Sequence, residues 1–210
     1  MSDKIYISAN DYLRDTFRLA RQILDCGWLP DDLIALWRGG APVGVGVHEF
    51  LYYHGLRPSH RVLKCQSYTG IRSRGHEVTF ENADAVFRSV VPGSRVLVID
   101  DVFDSGCTAR AVFERLAPSD ADVRLATVYW KPGANQTDLK PDFFVRETDR
   151  WIVFPHELDG LTPDEVSLKD PEIHALLNLT PTMNTPTHGT TDSEGMKKET
   201  QRREGAKNRL

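Results

Sequence analysis

An α/β fold, with a mostly parallel sheet flanked by helices, is what this sequence predicts, on three observations. Helical and strand-like patterns alternate along residues 10–130, as they do where βα units feed a parallel sheet. The chain has 210 residues, 40% hydrophobic and 27% charged, which is enough for one full α/β core and too few for two. The polar features that stand out, Arg38-Gly39-Gly40, the stretch from Tyr68 onward, Asp100 to Thr108, and Lys131, each follow an expected strand end. That is the edge at which open α/β sheets bind ligands.

The elements read in order. Ser8-Ala9-Asn10-Asp11 supplies capping side chains, and Tyr12, Leu13, Phe17, Ala20, Ile23 and Leu24 recur at helical spacing, so a helix is expected over about 10–25, ended by Gly27. Leu33 to Trp37 is a first strand, and Ala41 to Tyr53 a helix behind Arg38-Gly39-Gly40. Gly44-Val45-Gly46 is no dinucleotide fingerprint, because Glu49 stands where the third glycine belongs and the glycines fall inside the helix. Arg61 to Tyr68 alternates as a second strand. Thr69 to Asn82 is polar, carries Gly70, Arg72, Arg74, Gly75 and His76, and reads as a mobile loop. Asp84 to Val90 fits a short helix or strand. A third strand starts at 95, a helix runs from Ala109 to Leu116, a fourth strand covers Asp122 to Trp130, and a short fifth covers Pro141 to Val145. Thr148 to Pro155 is aromatic and apolar; Thr162-Pro163-Asp164-Glu165 starts a helix, and Pro171 to Leu177 forms another. From Pro181 to Leu210 only Met183, Met196, Ala206 and Leu210 are apolar, so this stretch reads as a disordered tail behind a 1–180 body.

Composition narrows the function classes. A formal net charge of -4 gives no reason to expect nucleic-acid binding. Cys26, Cys65 and Cys107 are odd in number and share no metal-type spacing, which fits a reduced, cytoplasmic protein. The N-terminus has no signal-peptide pattern, and no stretch approaches the roughly 18 apolar residues of a membrane span, so no membrane association is expected.

The chemistry concentrates after the third strand. Val96-Leu97-Val98-Ile99 runs into Asp100-Asp101, then Asp104, then a Ser105-Gly106-Cys107-Thr108 turn and a helix. Side chains and amides of 105–109 at a helix N-terminus make a monophosphate cradle. The cradle lacks the lysine of a Walker loop and suits a sugar monophosphate better than a nucleoside triphosphate. Two adjacent acids at the end of an apolar strand are costly to bury unless hydroxyls or a cation meet them; they can take both hydroxyls of a ribose or a hard divalent cation. Arg38 can fork onto a phosphate, with Gly39 and Gly40 allowing close backbone approach; the plainer alternative is a strand-to-helix turn with a solvent-facing arginine.

From Val96 to Thr108 the sequence resembles the thirteen-residue signature of type I phosphoribosyltransferases: an apolar run, two acids, two variable residues, Asp, Thr or Ser, Gly, any residue, Thr or Ser. The resemblance extends over about residues 10–160 to the 6-oxopurine branch, the xanthine, guanine and hypoxanthine enzymes. It implies a five-stranded parallel sheet, a flexible loop, and a hood over the base spanning approximately 131–165 with the N-terminal segment. It also implies transfer of a 5-phosphoribosyl group from phosphoribosyl pyrophosphate (PRPP) to a purine, with Mg2+, in a self-associating dimer or tetramer. By the same resemblance Arg38, Gly39 and Gly40 hold pyrophosphate, and Arg74, or else Arg72, closes over it. Asp100 and Asp101 meet the ribose, with Asp101 near the metal, and Ser105, Gly106, Cys107 and Thr108 take the 5-phosphate. Asp104 is then the general base at purine N7, Lys131 the reader of the 6-oxo group, Trp151 the stacking ring, and Ile152 a backbone contact to the exocyclic edge. Two alternatives stay open: a PRPP- or nucleotide-binding regulator of the same fold, and a transferase for another base such as adenine, uracil or orotate.

Overall fold

Helices and strands form where the residue pattern and the end signals agree. The structure, a computed structural model, describes residues 4–68, 77–81 and 83–178. They fall into two compact units that divide between Gly160 and Leu161. In the first unit β1 (Lys4–Tyr6) precedes α1 (Ala9–Asp25). The Ser8 side chain caps α1 by accepting from the Asp11 amide, and the helix buries Tyr12, Leu19, Ala20 and Ile23. Next come β2 (Asp32–Trp37), α2 (Gly40–Tyr53), β3 (Ser59–Tyr68), β4 (Glu77–Glu81), α3 (Asp84–Arg88) and β5 (Arg95–Phe103). They are followed by α4 (Cys107–Leu116), β6 (Asp122–Trp130), β7 (Phe143–Glu147) and β8 (Trp151–Val153). The second unit holds α5 (Pro163–Lys169), opened by a capping box between Thr162 and Glu165, and α6 (Pro171–Leu177).

The main sheet has six strands in the order β4-β3-β2-β5-β6-β7. The five strands expected from the sequence are its five mutually parallel ones. The sixth, β4, is an addition: it pairs antiparallel with β3 inside the stretch expected to be a loop. Val78 and Phe80 alternate with polar residues there, and Phe80 meets Phe87 edge-on with ring centroids 5.5 Å apart, so one half-buried face suffices for an edge strand. The rest of the expected loop, residues 69–76 and 82 with Arg72, Arg74 and His76, lies outside the described residues, as does the expected tail. A second addition is the parallel ribbon of β1 with β8, in which Ile5 pairs with Ile152. Between the two possibilities for Asp84 to Val90, the helix forms, and α4 begins two residues before Ala109.

Two apolar layers cover the sheet. Leu97 and Ile99 of β5 pack with Leu19, Ile23, Val43 and Val47 of α1 and α2. Val96 and Val98 pack on the other face with Val112 and Leu116 of α4. This two-residue alternation is what makes central parallel strands continuous apolar runs. Asp15 of α1, fully buried, accepts from Arg146 of β7 at 2.5 and 3.1 Å and from Arg18 at 2.5 Å, which ties α1 to the sheet's last strand. After β2 the chain goes to β3 on one side; after β5 it goes to β6 on the other. The crevice between the carboxyl ends of β2 and β5 is therefore the topological switch point of the sheet.

Candidate active site

Two loops meet at that switch point, and glycine is what lets them touch. A Cβ built on Gly39 would lie 2.1 Å from Asp101 Oδ2, and one on Gly40 would lie 2.3 Å from the Ile99 carbonyl oxygen and 2.9 Å from Asp100 Cα. The start of α2 thus rests directly on the end of β5. The exposed Arg38 stands beside this contact, and no carboxylate among the described residues pairs with it. The Tyr12 hydroxyl donates to the Gly39 carbonyl at 3.5 Å. Burial first, then the charges of Asp101 and Asp100, raise the Tyr12 phenol above its ordinary range and keep it a donor.

The alternation of β5 sends its paired acids to opposite faces. Asp101 follows Leu97 and Ile99 toward α1 and α2. It is buried, its Oδ1 accepts from the Val102 amide at 2.8 Å, and its Oδ2 lies 3.6 Å from His156 Nε2. The His156 ring stacks on Phe154 at 13° and leans on Tyr12, so it is held from two sides. Asp100 follows Val96 and Val98 toward α4. It keeps some accessible surface, but burial of its carboxyl, reinforced by the neighbouring charge of Asp101, pushes it well above the usual carboxylate range.

Beyond the acids the chain makes a cradle at the head of α4. Gly106, at φ +78°, adopts a backbone that favours glycine, and a Cβ there would also lie 2.4 Å from Thr137 Oγ1 and 2.8 Å from Phe103 Cζ. The loop behind is itself fastened: the Gln136 amide donates to the Ser105 carbonyl at 2.9 Å, and Asn135 Oδ1 accepts from the amide and hydroxyl of Thr137. A cavity of about 80 Å³ lies between Asp100 and the cradle, lined among others by Ser105, Gly106, Thr108 and Thr127. Cys107 opens α4 beside it, its amide donating to Ser105 Oγ at 3.4 Å.

The third part gathers on the far side of Asp104. The Lys131 amide donates to the Phe103 carbonyl at 2.9 Å, and its Nζ donates to Asp104 Oδ2 at 3.1 Å. The same ammonium lies 5.7 Å from the centroid of the Trp151 ring, which is 62% exposed. Asp149 holds this corner by accepting from the Gly133 amide at 2.8 Å. Ile152 turns its side chain into the core while its backbone pairs with Ile5. The structure thus brings Arg38, Gly39, Gly40, Asp100, Asp101, Asp104 to Thr108, Lys131, Trp151 and Ile152 to one edge of one unit. Arg74 lies outside the described residues. Sequence reasoning missed Tyr12, read as part of a helix's apolar face, and Thr127, hidden in a strand. It gave His156 no task.

The arrangement suits a metal of one kind. Among the described residues no group of three or more His, Cys, Asp or Glu side chains could hold an ion. One or two carboxylates beside an anion site are what a partly hydrated Mg2+ uses, and Asp101, on the face next to Gly39, fits that limited role.

A glycine turn at a helix N-terminus and paired acids lie together at the switch point of an α/β sheet, the place where such sheets bind ligands. The chain belongs to the phosphoribosyl transferase domain family, whose model matches residues 8–159. Solved structures agree with that fold. A purine phosphoribosyltransferase from Pyrococcus horikoshii is 26% identical, with 76% of this chain and 98% of that one covered and a TM-score of 0.60. A hypothetical protein from Neisseria gonorrhoeae, determined with bound ppGpp, is 25% identical, with 82% and 98% covered and a TM-score of 0.66. A xanthine-guanine-hypoxanthine phosphoribosyltransferase from Helicobacter pylori shares the fold at 23% identity and a TM-score of 0.56, covering 81% of this chain and 99% of its own. No helix among the described residues is long and apolar enough to cross a membrane.

Proposed function

We propose that the protein transfers the 5-phosphoribosyl group of PRPP to a 6-oxopurine, hypoxanthine, guanine or xanthine, in purine salvage. The observation that carries this reading is the cluster of Lys131, Asp104 and Trp151 beside the cradle. It offers a donor for a carbonyl, an acceptor for a ring N–H and an exposed aromatic face, which together match an oxopurine edge. In this reading Ser105, Gly106, Cys107 and Thr108 receive the 5-phosphate, Asp100 the ribose hydroxyls, and Arg38 with the Gly39 and Gly40 amides the pyrophosphate, joined by Arg74. Mg2+, near Asp101, would supply charge neutralisation at the leaving pyrophosphate. As the bond from ribose C1 to pyrophosphate breaks and the bond to the purine nitrogen forms, Asp104 takes the N7 proton. Lys131 donates to O6, Trp151 stacks on the ring, and the β1–β8 ribbon serves as the hood. The product is the nucleoside monophosphate.

The test is to incubate the protein with Mg2+, PRPP and, in turn, hypoxanthine, guanine, xanthine, adenine and uracil, and to follow pyrophosphate release. Turnover with at least one 6-oxopurine, and none with uracil, is expected. A second reading, a nucleotide-binding regulator, is favoured by one observation, the ppGpp bound to the Neisseria gonorrhoeae protein. Tight ppGpp binding without turnover of any base would replace the first reading with the second.

A further inference from the structure

β6 carries an anomaly. Its middle reads Leu125-Ala126-Thr127-Val128, and all four residues are buried. Three of them pack in the two apolar layers. Thr127 is fully buried, yet its Oγ1 meets no hydrogen-bond partner among the described residues. An unsatisfied buried hydroxyl is destabilising, and valine, of the same shape, would remove the penalty. Nothing in the packing of β6 calls for the oxygen.

The position explains it. Thr127 is the register partner of Asp100 across the parallel β5–β6 pair, so both side chains face the α4 side of the sheet. Both line the cavity that leads from the acids to Ser105, Gly106 and Thr108. At about 80 Å³ that cavity has several times the room one water needs. Leu36 and Leu125 line it too, and apolar walls strengthen any hydrogen bond made there.

We propose that the Thr127 hydroxyl is a ligand-binding group, the floor of the site for the pentose 5-phosphate, and that its lack of a protein partner is how the strand keeps it available. This rests on the phosphoribosyl reading above. It adds a residue outside the signature stretch, on a different strand, that binds the phosphosugar half and leaves the pyrophosphate side alone.

Two variants and two probes test it. Thr127→Val keeps the shape and drops the oxygen; Thr127→Ser keeps the oxygen. Binding is read by calorimetry with ribose 5-phosphate and, separately, with inorganic pyrophosphate and Mg2+, on the full chain; melting is read without ligand. For Thr127→Val we expect ribose 5-phosphate affinity to fall about ten-fold, the loss of one hydrogen bond to a charged phosphate. Pyrophosphate affinity should be unchanged, and the unliganded melting temperature equal to or above that of the wild type. Thr127→Ser should bind within about three-fold of wild type, because it retains the bond. Equal ribose 5-phosphate affinity in wild type and Thr127→Val overturns the role of Thr127 and leaves the phosphoribosyl reading standing. A lower melting temperature for Thr127→Val also overturns it, since the hydroxyl would then be bonded inside the protein. A wild type that binds neither probe brings down the phosphoribosyl reading and this inference together.

Discussion

Replacing Gly39 by alanine asks whether the loop after β2 and the acids after β5 work as one unit. A Cβ at position 39 would lie 2.1 Å from Asp101 Oδ2, 2.3 Å from its Cγ and 2.5 Å from its Oδ1, where ordinary contacts begin near 3.4 Å. The carboxylate would have to retreat by more than an ångström. It has little room, because Asp101 is buried, its Oδ1 is bonded to the Val102 amide at 2.8 Å, and His156 stands 3.6 Å from its Oδ2. Forced shifts of this kind cost about 1–3 kcal/mol in a packed interior. In a domain of this size that lowers the melting temperature by roughly 2–12 °C. The displaced carboxylate also leaves its place beside the donor, so affinity for PRPP with Mg2+ should fall at least about ten-fold, equivalent to about 1.4 kcal/mol. Gly55→Ala is the control. Unlike Gly39, at φ -67°, it sits at positive φ, +82°, and its Cβ would meet nothing within 4 Å. It should lose about 1–2 kcal/mol of stability for the backbone alone and keep donor affinity. Differential scanning calorimetry and titration calorimetry read both quantities. A Gly39→Ala protein that melts and binds like the wild type would refute the claim that this glycine is what allows the two loops to meet.

Three further outcomes are expected. Asp104→Asn should lower turnover by about 10²–10⁴-fold, the usual span for losing a general base, with PRPP affinity nearly intact; unchanged kcat removes Asp104 from that role. Lys131→Met should cut kcat/KM for hypoxanthine by roughly ten-fold or more, as expected for a charged donor, and narrow the preference over adenine; an unaltered ratio of the two bases counts against Lys131 as the 6-oxo reader. Asp100 carries a pH signature: its carboxyl is raised in the folded protein, so the unfolded chain releases that proton at lower pH and the folded state holds it longer. The folded form then binds more protons between the two values, and stability falls as pH rises through the folded one. Asp100→Asn should remove that decline in the unliganded protein, read as urea midpoints from about pH 4 to pH 8; parallel pH profiles for variant and wild type would contradict the burial argument.

Much of this site could be read from residues because it lies where local rules act alone. The Val96 to Thr108 segment is contiguous, its apolar run fixes a buried strand, and Gly106 needs its positive φ for the turn itself. Arg38-Gly39-Gly40 was legible as a strand end, but not as a partner of Asp101, since that contact depends on which strands become neighbours. β4 was hidden by the polar stretch before it, and β1 by its length of three residues, too short for any period to register. Tyr12 and Thr127 look like ordinary helix and strand residues; their polar atoms acquire meaning from what the fold places opposite them. His156 is far in sequence from Asp101, and only the path of the chain after β8 brings them to 3.6 Å.

The ribbon of β1 and β8 has a bearing on the order of opening. It is three residues long, joins stretches near the two sequence ends of the first unit, and shares no ladder bond with the six-stranded sheet, though Ile152 and Val153 are buried. Closing so long a loop for so few bonds gives little local stability, and such segments open well below the free energy of global unfolding. Backbone amides of the ribbon, such as Ile152, should therefore exchange with deuterium earlier than those of Ile34 and Val98 in the sheet. If so, excursions of the native protein release Trp151 while the phosphate cradle stays intact, and the two halves of the site live on different clocks.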